Sequence, residues 1–185
     1  MQSIIDYFNK PILKVSLAFG AITAVFAFIF FLALYFVGAR PLSNIRVMDM
    51  GIFIICISGA CWYYRKTFGN GFLHLWEALT IGYVVLCIAA ILNGWLIYLF
   101  VSYIDPTVFA DFISDSLQLL TEGRKTQLSY LSDAEFLKIY ENTRLDNPSI
   151  IIKDEIGKKL LIGIIPILII SLIMRKQDYG IYHNK

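Results

Sequence analysis

The stretch 63-YYRKTFGNGFLHLWEALTIGYVVLCIAAILNGWLIYLFVSYID-105 decides what kind of protein this is. It opens on a basic, glycine-bearing turn and passes through Trp76-Glu77 into Ala78–Ile104, 27 residues without a charge. It stops at Asp105-Pro106. At about 1.5 Å per residue the uncharged run is longer than the roughly 30 Å hydrocarbon core of a bilayer. Gly69-Asn70-Gly71 supplies left-handed backbone conformations that other residues adopt poorly. The stretch therefore reads as a tight basic turn, one full crossing and a hard stop.

The rest of the chain agrees in composition. Apolar residues make up 58% of 185 residues and charged residues 16%, with a mean hydropathy of +0.67. Soluble domains average about 45–50% and about 25%. A net charge of +2 gives no support to nucleic-acid binding. Upstream, Val15–Ala39 is uncharged for 25 residues, far beyond the roughly 7–15 of a signal-peptide core, so it reads as an uncleaved anchor. Met50–Tyr64 is shorter, and crosses if Val47 and Met48 join it, with Arg46 snorkelling and Asp49 near the surface. Trp62, Tyr63 and Tyr64 followed by Arg65-Lys66 read as an aromatic belt with its basic flank. The last apolar run is Leu160–Met174. Lys158 and Lys159 snorkel at one end, Arg175-Lys176 closes the other, and Pro166 should kink the helix between them.

The expected architecture is all-α: a polytopic membrane protein with four transmembrane helices at about 13–38, 47–64, 75–104 and 157–174. Between the last two lies an amphipathic insert, 105–156. Val108, Phe109, Phe112, Ile113, Leu117 and Leu120 share one face of a first insert helix, for which Gly123 is the expected C-cap. Ser132-Asp133-Ala134-Glu135 is a capping-box pattern that starts a second. Asp105–Lys159 holds ten of the 14 acidic residues and seven of the 16 basic ones. Four crossings put both termini on one side. If that side is the cytoplasm, Lys10, Lys14, Arg65, Lys66, Arg175, Lys176 and Lys185 lie inside. The inverse places Arg40, Arg46, Lys153, Lys158 and Lys159 there. Seven against five favours cytoplasmic termini and an outward-facing insert.

Tyr64-Arg65-Lys66, Gly71-Phe72, Trp76-Glu77-Ala78 with Gly82, the Asp105-Pro106 stop and the closing helix ending in Arg175-Lys176 carry a resemblance. The chain resembles small bacterial membrane proteins of the domain of unknown function 4199 family, found mainly in Bacteroidetes-type bacteria. The resemblance implies the inner (cytoplasmic) membrane as location. It implies no activity, cofactor or catalytic residue.

Candidate polar residues are few. Glu77 and His74 stand i, i+3 at the start of the third span and can face each other. The pair reads either as a proton-linked or metal-binding couple, or as an interfacial carboxylate matched to Arg65, Lys66 or lipid headgroups. Asn93 is the strongly polar residue deep in an apolar run, either a hydrogen bond across helices or part of a transport site. Sixteen residues put Glu77 and Asn93 about 24 Å apart along a helix, too far for one site. Ser16, Gly20 and Ala24 form a small-residue stripe, and Gly82 lies on a second, both suited to close helix packing. In-span Ser58, Thr80 and Ser171 are expected to bond their own helix backbones. Cys56, Cys61 and Cys87 show no metal or disulfide spacing. No nucleophile, phosphate-loop or metalloprotease motif is present, so neither an enzyme nor a cofactor is expected. The expected role is structural or accessory, with membrane lipids, further copies of the chain or other membrane proteins as partners. The alternative is a small oligomeric transporter or channel subunit using Glu77 and Asn93.

Overall fold

The computed structural model describes residues 10–124, 130 and 132–176. Among them the chain is all-α, with no strand and six α-helices. Four of the helices are long and apolar enough to cross a membrane. Helix α1 is Pro11–Phe36, α2 is Met50–Thr67 behind a short 3-10 turn at Asn44–Asp49, and α3 is Leu75–Leu99, prolonged by a π-helical turn to Ile104. The insert holds α4, Thr107–Arg124, and α5, Asp133–Arg144; α6 is Ile150–Met174.

Local chemistry explains the boundaries. Pro11 opens α1, where its missing N–H has no partner to lose. Gly38, at φ +76°, closes it, and the Ala39 N–H reaches the Leu34 carbonyl at 3.0 Å. Between α2 and α3 the left-handed residues are Asn70 and Gly71, as the turn sequence predicts. The backbones of Leu73 and Lys176 exchange two hydrogen bonds of 2.9 Å, tying the start of α3 to the end of α6. Gly123 lies inside the last turn of α4 instead of capping it. The capping box at α5 is present: the Glu135 N–H donates to Ser132 Oγ at 3.3 Å, and the Ser132 N–H to Glu135 Oε2 at 3.0 Å.

Helix α3 is central. Half of its apolar window is buried, against 28% for α1 and α6. Small residues make this possible. A Cβ on Gly82 would meet Ile167 of α6 at 2.8 Å, and one on Gly20 of α1 would meet Ile88 of α3 at 2.9 Å. Ser16, Gly20, Ala24 and Ala27 are all buried, so the α1 stripe faces the bundle. Since lipid is as apolar as the helices, close packing of this kind supplies the association energy. The outside of the spans is apolar too: Ile29, Trp95, Leu161 and Ile173 are all exposed. Outward apolar side chains on long helices suit a bilayer.

Two packed clusters divide the bundle. One, around Phe53, Ile57, Ile81, Leu86 and Ile167, fills the middle and the end where α1 starts and α6 stops. The other, around Phe31, Ile97, Phe100, Val108 and Ile151, lies under the insert. There α4 lays Val108, Phe109 and Phe112 against the bundle, and the rings of Phe31 and Phe100 meet edge-on at 5.4 Å.

Candidate functional site

The six residues Ile151, Glu155, Lys159, Gly163, Ile167 and Ser171 lie four apart on α6, and all are buried. Four-residue spacing keeps side chains on one helix face. Two of the six are charged, so the inward face of α6 carries a carboxylate and an ammonium into the bundle. Asp49 arrives at their level from the turn before α2, and Asn93 from α3.

The four polar residues are 2% (Asp49), 0% (Asn93), 2% (Glu155) and 4% (Lys159) exposed. Lys159 Nζ donates to the Asp49 carboxylate and also lies 4.8 Å over the Phe53 ring. Cation–π contact adds to the pair when water is absent. Asn93 Nδ2 donates to Glu155 Oε1 at 2.6 Å. The other amide atom, Asn93 Oδ1, is buried with no hydrogen-bond partner among the described residues. Gly94 permits the approach: a Cβ there would lie 3.4 Å from Glu155 Cβ and from Ile152 Cα. The arrangement pins α2 and α3 to α6 at one level. It also holds ionisable groups where hydrocarbon makes them costly.

A pocket of about 50 Å³ reaches the cluster, lined by Leu42, Ser43, Met50, Lys158, Glu155 and Lys159 among others. It has room and polar groups enough for water. Leu42 and Ser43 also line two wider hollows beneath α4, of about 170 and 410 Å³. Their walls carry the ion pairs Arg40–Asp115 and Lys158–Asp154, the latter at 2.8 Å. Polarity thus runs from the insert surface to the buried cluster.

Two readings of the polar residues need correction. Asp49 is buried in an ion pair and does not sit at the surface. Lys159 points into the bundle and does not snorkel, whereas Lys158 keeps a half-exposed side chain. Glu155 is buried as well. The signal for both α6 charges was available in the chain: they share the four-residue stripe of Gly163 and Ile167. The contribution of Asp49 was not, because it depends on how α2 docks against α6.

Glu77 and His74 lie at the opposite end of α3. Glu77 Oε2 accepts the backbone N–H of His74 at 2.8 Å, so the carboxylate closes the first turn of its own helix. The Tyr64 hydroxyl stands 3.5 Å from Glu77 Oε1. Arg65 Nη1 donates to the Met174 carbonyl at 3.3 Å. No group of three or more His, Cys, Asp or Glu among the described residues could hold a metal. Thr80 bonds its own helix at the Trp76 carbonyl, 2.8 Å away, but the buried Ser171 Oγ finds no partner among the described residues.

A second polar knot lies at the insert end. Asp105 Oδ1 accepts from the Thr107 hydroxyl at 2.6 Å and from its N–H at 3.0 Å, and Oδ2 accepts from the Tyr35 hydroxyl at 2.8 Å. The Thr107 hydroxyl foremost, then Tyr35, holds the Asp105 carboxyl below the usual carboxylate range.

A family described as protein of unknown function (DUF4199) matches residues 18–176. No curated protein and no solved structure matches the chain.

Proposed function

The chain belongs to the DUF4199 family, and we propose that it is a structural or accessory protein of the bacterial inner membrane. It acts through protein or lipid partners, with both termini cytoplasmic and the insert outside. The observation that carries this reading is the insert's outer surface. Leu119 is 60% exposed, Tyr130 79%, Leu137 56% and Leu145 80%. These side chains lie outside the four spans, so lipid around the spans does not account for them. Apolar surface in such a place marks contact with a partner or with the headgroup region.

Photo-crosslinking side chains at Leu137 and Leu145 in living cells test it. The expected result is one reproducible adduct, to a membrane protein or to phospholipid, that Leu137→Asp removes while the bundle stays folded. Absence of any adduct at both positions would sink the proposal.

A second reading, a small oligomeric transporter or channel subunit, is favoured by the buried polar cluster. Intramembrane ionisable residues mark ion and substrate paths. The cluster moves the centre of that reading from Glu77 to Asn93 and its partner Glu155. Proton or solute flux into reconstituted vesicles, lost in Asn93→Leu and retained in Glu77→Gln, is the outcome it requires.

A further inference from the structure

We propose that the end of the bundle where α1 starts and α6 stops binds the headgroup of an anionic phospholipid, between the ends of α2 and α6. Two pairs of cations meet there. Arg65 and Lys66 stand in the last turn of α2, and Arg175 and Lys176 follow the last turn of α6. Backbone contacts bring the pairs together. Arg65 Nη1 donates to the Met174 carbonyl at 3.3 Å, which fixes the guanidinium one residue before Arg175. The Leu73–Lys176 bridge holds Lys176 beside the start of α3. Lys14 lies exposed at the same end, in the first turn of α1. A guanidinium offers five N–H donors in a planar fork that fits a phosphate, and the Met174 carbonyl takes one of them.

The protein supplies this end with little negative charge. Among the described residues Glu77 is the one carboxylate there, and it is engaged in closing the first turn of α3. The ion pairs among the described residues involve neither cation pair and lie in the insert half. Like charges gathered without counter-ions repel one another, and an anion among them reverses the sign. Tryptophan sets the depth of the patch. Trp62 and Trp76 are 50% and 66% exposed, and exposed indoles at the ends of spans sit among headgroups. Lys66 Nζ lies 5.1 Å from the centre of the Trp62 ring, so its ammonium is held at that depth. A cluster of lysine and arginine in this position attracts anionic phospholipid. The proposal rests on the helices crossing a bilayer. It depends neither on the functional readings above, which concern the insert and the buried cluster, nor on which side the termini lie.

The test is native mass spectrometry of the full-length protein in detergent, titrated with phosphatidylglycerol and with phosphatidylcholine of the same acyl chains. Phosphatidylglycerol should bind the more tightly. Arg175→Gln/Lys176→Gln should weaken its binding by about fivefold per charge removed and leave phosphatidylcholine unchanged. Both side chains are exposed and follow the helix, so this variant should melt with the wild type. Lys66→Gln, exposed on another helix, should act in the same direction. Lys138→Gln/Lys153→Gln, which removes two exposed charges from the insert half, should alter neither lipid's affinity. Equal affinity of the wild type for the two lipids would overturn the proposal. So would a preference that survives the loss of Lys66, Arg175 and Lys176 together, or one that falls as far in the Lys138/Lys153 variant. Displacement of bound phosphatidylglycerol by inorganic phosphate at the same concentration would overturn it as well, by showing a site for the free anion.

Discussion

Lys159 and Lys158 are neighbours in sequence and opposites in energy. The Lys159 side chain is 5% exposed and faces Asp49; the Lys158 side chain is 55% exposed and faces Asp154 at the rim. Removing one partner of a buried pair leaves an uncompensated charge and costs about 3–5 kcal/mol, whereas an exposed pair contributes about 0–1 kcal/mol. We expect Lys159→Met to destabilise the bundle by the larger amount and Lys158→Met by no more than the smaller. Unfolding of the two variants in detergent measures this. The double variant Asp49→Asn/Lys159→Met should lose less than the two single variants added together, because it removes both ends of this ion pair at once. Glu77 is a different case. Its carboxylate caps a helix, and Gln serves equally at that position. Glu77→Gln is therefore expected to melt with the wild type.

At the scale of elements, the glycines of the bundle sort into those that hold two helices together and those that do not. A Cβ on Gly163 of α6 would meet Leu86 at 2.6 Å, and one on Gly82 of α3 would meet Ile167 at 2.8 Å. A Cβ on Gly51 of α2 would meet nothing within 4 Å. Overpacking costs about 1–3 kcal/mol, and a helix gains roughly 0.5–1 kcal/mol when Gly becomes Ala. Gly163→Val and Gly82→Val should lower the melting temperature, and Gly51→Ala should hold or raise it. The insert helices respond to acid instead. The Ser132 hydroxyl foremost holds the Glu135 carboxyl below its usual range, as Thr107 and Tyr35 do for Asp105. A carboxyl depressed on folding stabilises above its unfolded value, about 4, and that contribution is lost as pH falls through the folded value. Hydrogen exchange at the first turns of α4 and α5 should therefore speed up as pH falls below about 4, beyond the intrinsic trend. Ser132→Ala should weaken that response at α5, where the backbone N–H of residue 132 still donates to Glu135, and leave it unchanged at α4.

At the scale of the whole molecule, the testable quantity is topology. The Leu73–Lys176 bridge places the start of α3 beside the end of α6, with the insert at the other end of the bundle. In intact cells, with the three native cysteines replaced, a membrane-impermeant thiol reagent should label a cysteine at Leu145 and not one at Asn70. The reverse pattern would put the insert in the cytoplasm. Labelling at both would put the two ends of α3 on the same side and remove it as a crossing.

The four long helices, the Asn70-Gly71 turn, the Ser132 cap and the small face of α1 were legible in the chain, because each depends on residues within a few turns of one another. Length of an uncharged run, left-handed turn residues and four-residue spacing are local quantities. The α6 stripe was equally local and could have been read, but Glu155 and Lys159 lie where a helix leaves the hydrocarbon, and charge there ordinarily turns to water. Their inward course follows from packing. Gly94 lets α6 close on α3, and the turn at Asn44–Asp49 delivers Asp49 against Lys159, across 110 residues of chain. Whether a charge near a membrane surface snorkels or is buried depends on the partner it finds, and only the tertiary structure brings that partner to it.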